Sequence, residues 1–162
     1  MRTFRSECSF FVALMATALA MGAALAHLLE LPNKIGLERD AYLVVQQIYR
    51  GWNLLALLLV VELVSMIVLA WQSRRQGPLF SYVVAAIVCL LAAQAVFWTF
   101  TYPANVATSS WTVLPADWES LRRQWEYSHA VGAVLQTVAM AALVLAALAR
   151  RRGSEGNSLV EI

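Results

Sequence analysis

Four apolar segments, each about as long as a lipid bilayer is thick, constrain this chain more than anything else in it. They run from about Phe10 to Leu31, Trp52 to Trp71, Leu79 to Phe100 and Tyr127 to Ala149. A helix needs about 20 residues to cross a hydrocarbon core of ~30 Å. Lipid offers the backbone no water to bond, so each crossing segment must be helical. The predicted fold is therefore an all-α, four-helix transmembrane bundle. It forms one domain over residues 1–152, followed by a disordered Gly-, Ser- and Asn-rich tail over 153–162. Composition points the same way, since 60% of the residues are hydrophobic and only 14% are charged, against about a quarter charged in a soluble domain.

The remaining composition excludes some functions. A net charge of +2, with arginines at segment ends and not along one helical face, gives no nucleic-acid footprint. Cys8 and Cys89 form no CxxC pair and lie outside the polar loops, which argues against a disulfide framework or a thiol–disulfide carrier. The first segment has a second reading. Arg2 and Arg5 precede it, and Ala24-Leu25-Ala26 resembles a signal-peptide cleavage site. The apolar run continues past that site to Leu31 and exceeds the usual h-region of about 7–15 residues, so a retained span is expected.

Topology follows from the basic residues. Arg2, Arg5, Arg74, Arg75, Arg150, Arg151 and Arg152 fall on one side; Lys34, Arg39, Arg50, Arg122 and Arg123 fall in the longer loops on the other. The positive-inside bias places both termini in the cytoplasm. The expected location is a bacterial inner (plasma) membrane, with membrane lipid as the surrounding partner. Pro32-Asn33 reads as a helix stop and turn. A helix is expected from Glu38 onward, with Gly51 as a weak point before the second span, and Pro78 suits the first turn of the third helix, which is expected to end before Pro103. The six tryptophans fall mostly near span ends and fit an interfacial aromatic belt.

Polar residues within or beside the spans are few, and their spacing is informative, because ionisable groups at membrane depth usually face the bundle interior. His27 and Glu30 are three residues apart and share a helical face. Glu126 and His129 repeat that spacing, and Gln136 extends their stripe. Gln94 and Thr101 align seven residues apart, and Glu62 lies mid-span in the second helix. In an up-and-down bundle the outer ends of the first and fourth helices lie at similar depth, so the two His/Glu pairs can converge near one surface. A metal is possible there, as on the Glu-x-x-His helices of di-iron bundles. A plainer arrangement is also open: Glu126 paired with Arg122 and Glu119 with Arg123 at i, i+4, each His bonded to a neighbouring helix, and Glu62 bridging helices.

Two patterns resemble a known family. One is Pro103-Ala104-Asn105 followed by Trp118, Arg122, Trp125, Glu126 and His129; the other is Ala26-His27-Leu28-Leu29-Glu30-Leu31-Pro32-Asn33-Lys34. Together they are similar to a large family of four-span membrane proteins, mostly of unknown function, that includes the anthrone oxygenases. The likeness covers about His27 to Gln136. It implies a four-helix membrane bundle and, for the characterised branch, oxidation of a polyketide anthrone to a quinone. Matching positions would be Asn105, Arg122, Trp125, Glu126 and His129. Characterised members tend to carry an Arg shortly after the His, where this chain has Gly132.

Two functions follow as expectations. One is a small membrane enzyme of oxygenase type acting on a hydrophobic small molecule. His129 or His27 would be the base, Glu126 would orient its partner imidazole, and Glu30 would complete the catalytic set; Asn105 and Arg122 would steady the developing oxyanion and, with Trp125 and Gln94, hold the substrate. The other is a non-enzymatic accessory or lipid-binding protein in which the same polar residues fix loop geometry.

Overall fold

The computed structural model describes the backbone of residues 2–158 and the side chains of residues 6–150. Six α-helices follow one another: α1 (Arg2–Lys34), α2 (Arg39–Gln46), α3 (Leu55–Ser73), α4 (Gly77–Val96), α5 (Tyr102–Ala107) and α6 (Trp118–Ser158). Two 3₁₀ turns, Gln47–Tyr49 and Trp52–Leu54, link α2 to α3, and a π-turn, Phe97–Thr101, links α4 to α5. Among the described residues, four helical stretches are long and apolar enough to cross a membrane: Ser6–Lys34, Trp52–Ser73, Gly77–Ala107 and Trp118–Arg150. The chain is an all-α integral membrane protein.

Each spanning helix packs on two neighbours: α1 on α3 and α6, and α4 on α3 and α6. Lipid tails are as apolar as leucine, so helices in a membrane associate through close packing and small residues more than through water exclusion. The core follows that rule. Ala13, Ala86, Ala139 and Ala146 are fully buried and let the backbones approach, while Met66, Leu69, Val83 and Leu143 fill the space between them. Outward faces carry exposed Phe11, Leu57, Val64 and Leu91, as a lipid-facing surface should. The first and last spans meet at one end, where Arg150 lies 3.5 Å from Glu7. The opposite end, the capped end, carries α2, α5 and the loop from 108 to 117.

Three boundaries differ from the sequence expectation. Pro32 does not stop α1, which runs on to Lys34, with the Ile35 amide still bonded to the Leu31 carbonyl (2.9 Å). Pro103 does not end the third span either. The π-turn adds a residue to the helical repeat just ahead of it, and Pro103 then sits in the first turn of α5, where its missing N–H costs nothing. The tail expected to lack structure from 153 is helical through Ser158, and 159–162 lie outside the described residues. Gly51 does break the chain, as anticipated. Its φ of 89° is left-handed, open to glycine without a Cβ penalty, and it turns α2 away from the axis of α3.

Candidate functional site

Between the spans at the capped end lies a cavity of about 580 Å³, within the usual range for a small-molecule site. On α6 its wall includes Trp125, Ser128, His129, Gly132 and Gln136. Those positions span about 16 Å at 1.5 Å per residue, so the cavity is long and parallel to the bundle axis. From α1 come Ala20, Ala23, Ala24 and His27; from α4 and the π-turn come Gln94, Phe97 and Thr101. Tyr49, Trp52, Asn105 and Trp111 close its upper end.

The two histidines meet inside it. Their rings stack with centroids 4.1 Å apart at an interplanar angle of 20°. Trp125 stands edge-on to both, at 5.1 Å from His27 and 4.2 Å from His129, and Tyr49 and Trp52 flank His27. His27 is buried, and its Nδ1 has no hydrogen-bond partner among the described residues. His129 is half-buried and lines the cavity.

The two glutamates also meet, but not at the histidines. Lys34, buried on the stripe of His27 and Glu30, holds Nζ 3.3 Å from Glu126 and 3.5 Å from Glu30. Tyr42 donates to Glu126 (3.0 Å) and accepts from Gln46; Tyr49 donates to Glu30 and accepts from Lys34 (2.5 Å). Lys34 also lies over the faces of Tyr49 and Trp125. This network fastens α2 and the following turn to α1 and α6, forming the lid of the cavity. Expecting Glu126 to orient its partner imidazole is therefore a mistake: its oxygens, like those of Glu30, serve a buried cation and a phenol. Among the described residues, no group of three or more His, Cys, Asp or Glu gathers as a metal would require. Lys34 takes both carboxylates that a metal at the two His/Glu pairs would need.

Burial pushes both phenols well above the ordinary tyrosine value. The adjacent Glu126 charge adds to this for Tyr42, and the hydrogen bond to Glu30 adds to it for Tyr49. A raised pKa in the folded state means stability that is complete below the unfolded phenol value of about 10 and is lost as pH rises toward the folded value. We expect the phenolate absorbance of folded protein at pH 11 to fall short of its five tyrosines, with the missing part appearing only on unfolding. Full ionisation at pH 11 with the helices intact would contradict the network.

The other expected site residues fall into two groups. Asn105, Trp125 and Gln94 line the cavity. Asn105 Oδ1 accepts the indole N–H of Trp125 (2.8 Å) and of Trp111 (3.2 Å). Arg122 is not on the cavity wall. It is buried, donates to the Leu37 carbonyl (2.6 Å) and stacks on Trp118 (4.6 Å), clamping the 35–38 turn to α6. Nor does it pair with Glu126, although Glu119 and Arg123 do approach to 4.0 Å on the surface. Replacing Asn105 with Leu strands two indole N–H groups. At about 1–3 kcal/mol for each unsatisfied donor, the variant should melt several degrees lower, while Asn105→Asp, which keeps an acceptor, should lose less. Thermal melts in detergent check this.

Some of the site was missed in the sequence. Trp111 and Trp125 are nearly fully buried and are not belt residues, unlike exposed Trp71 and Trp98. Lys34, Tyr42 and Tyr49 went unassigned. A signal existed: Tyr42, Gln46 and Tyr49 have the i, i+4, i+7 spacing of one helical face, and Lys34 is i+7 from His27. Deeper in the bundle, Gln136 Nε2 donates to the fully buried Glu62, the inter-helix bridge that the plain reading assigned to that carboxyl. Above it, Thr101 and Ser128 hydroxyls bond at 2.7 Å and tie the π-turn to α6. No family model matches the chain, and no curated protein or solved structure matches it either.

Proposed function

We propose that this protein is a small membrane oxygenase of the anthrone-oxygenase kind, acting on a hydrophobic ring compound bound beside His27 and His129. The observation that carries the reading is the stacked histidine pair in the wall of a largely apolar cavity. His129 is the base, because it is the less buried of the two and borders the space a ligand would fill. It takes a proton from an activated CH₂ group. The carbanion adds O₂ to give a hydroperoxide, which loses water to leave a carbonyl; overall, CH₂ and O₂ become C=O and H₂O. Asn105 has its oxygen committed to two indoles, so its NH₂ is the group left to donate to a developing oxyanion. We further propose that both termini are cytoplasmic, on the strength of the arginine distribution, which puts the cavity toward the outer face of a bacterial inner membrane.

A second reading is favoured by one observation: neither glutamate backs an imidazole, and Arg122 is turned away from the cavity. The cavity would then hold its ligand without transforming it. Purified protein in lipid nanodiscs, supplied with a tricyclic anthrone and O₂, separates the two. Enzyme-dependent uptake of one O₂ per quinone formed supports the oxygenase. Saturable binding without O₂ uptake leaves only the binding role.

A further inference from the structure

The cavity changes character along its length. Near the capped end it offers imidazole, amide and indole groups: His27, His129, Asn105, Trp111 and Trp125. Deeper, its wall is made of small and aliphatic side chains, among them Ala20, Ala23, Leu59 and Ala93. Two polar side chains lie at that depth: Gln136, whose amide N–H is committed to Glu62, and Gln94, beside Ala93 on α4. The side wall is also incomplete. The π-turn at the end of α4 packs mainly on α4, α5 and α6 and has no comparable packing on α3. Ala56 on α3 and Trp98 on the π-turn border the cavity, are both exposed and both lie within apolar spans. At this depth the outside is lipid.

A polar aromatic chamber that continues into an aliphatic alley with a side opening to lipid fits an amphiphile in two parts. We infer that the ligand is a ring lipid: an oxygen-bearing aromatic or quinonoid head carrying a long hydrocarbon chain. The head lies against His27, His129 and Asn105, and the chain leaves between α3 and the π-turn into the bilayer. This rests on reading the cavity as the ligand site and adds the class of ligand and its path. The chemistry of the wall selects the head. Imidazole and amide N–H groups donate to carbonyl or hydroxyl oxygens, indoles give faces and edges for a flat ring, and the chamber has no carboxylate in its wall to attract a cation. The chain adds apolar contact along the alley, and it keeps the ligand in the phase from which the opening is reached.

The test uses two probes that share a ring, 2-methyl-1,4-naphthoquinone and a 3-decyl derivative of it, with quenching of tryptophan fluorescence as the readout in nanodiscs. Ala56→Trp places a large side chain in the opening from an exposed position, where folding is not at stake. We expect it to weaken the decyl probe at least tenfold while the chainless probe stays within twofold. Comparing each probe with itself across the two proteins cancels its partition into lipid. His129→Ala should weaken both. If both probes depend on His129 but Ala56→Trp leaves decyl binding unchanged, or weakens both equally, the chain path is wrong and the cavity reading stands. If neither probe binds wild-type protein saturably, the ring-lipid inference and the cavity reading fail together.

Discussion

Lys34→Met should cost about 3–5 kcal/mol of stability, the largest loss expected from any single substitution in this protein. The number follows from what remains behind. Lys34 is the only cation within 4 Å of Glu126 among the described residues, and Glu126 is fully out of solvent. Removing one partner of a buried ion pair leaves an uncompensated charge, and that residue, more than the lost attraction, sets the penalty. Glu30 adds less because it is partly exposed. Methionine keeps the bulk and the stem, so packing is not the variable. Adding Glu126→Gln to Lys34→Met removes the stranded charge, and the double variant should recover more than half of the loss. Chemical unfolding in detergent, followed by tryptophan fluorescence, measures both. A single variant within 1 kcal/mol of wild type would mean that the lid is held by something other than this network.

If the protein is the oxygenase proposed above, His129→Ala lowers kcat by about 10²–10⁴, the range a positioned general base contributes, while the melting temperature moves by only a few degrees. The ring contributes a stacked contact with His27 and an edge contact with Trp125, each worth about 0.5–1.5 kcal/mol. His27 is the internal comparison. It is the more buried ring and packs against four aromatic side chains, so His27→Ala should damage stability more and kcat less. If His129→Gln, which keeps a hydrogen-bonding group without a comparable base, retains turnover, then the residue shapes the cavity and does not move a proton. Equal losses from the two alanine variants would argue for shape as well.

Much of this was legible in the sequence, for a reason specific to membranes. Polar side chains at membrane depth are rare and face inward, so the spacing of His27, Glu126, His129 and Gln136 was enough to bring the histidines to one place. Gln94 and Thr101 reached the cavity by the same logic. The glutamates misled because a proline was read as a full stop. With α1 ended at Pro32, Lys34 becomes a loop charge and Glu30 and Glu126 are free to serve the histidines. With α1 continued to Lys34, the lysine lies one turn beyond Glu30 on the same face and takes both carboxylates. Arg122 failed differently. The resemblance assigned it to the substrate, but its partner is a backbone carbonyl of the 35–38 turn, and no side-chain pattern announces such a contact. The roles of Trp111 and Tyr42 likewise depend on how the loops fold over the bundle, which helical periodicity does not report.

The loop that seats Trp111 has a consequence for how the chamber opens. Ser109, Ser110 and Trp111 all have positive φ, at 49°, 57° and 61°, in a region that costs a non-glycine residue on the order of 1 kcal/mol or more. That strain is held in place by the burial of the Trp111 ring and its bond to Asn105. Lifting the indole out gives the strain back and so offsets part of the cost of exposing it. A loop that carries this strain costs less to lift than an unstrained one with the same contacts. Hydrogen exchange should find the amides of 109–113 opening well before those of α6 beside them. Equal protection across the two would show that the loop stores nothing a ligand can use.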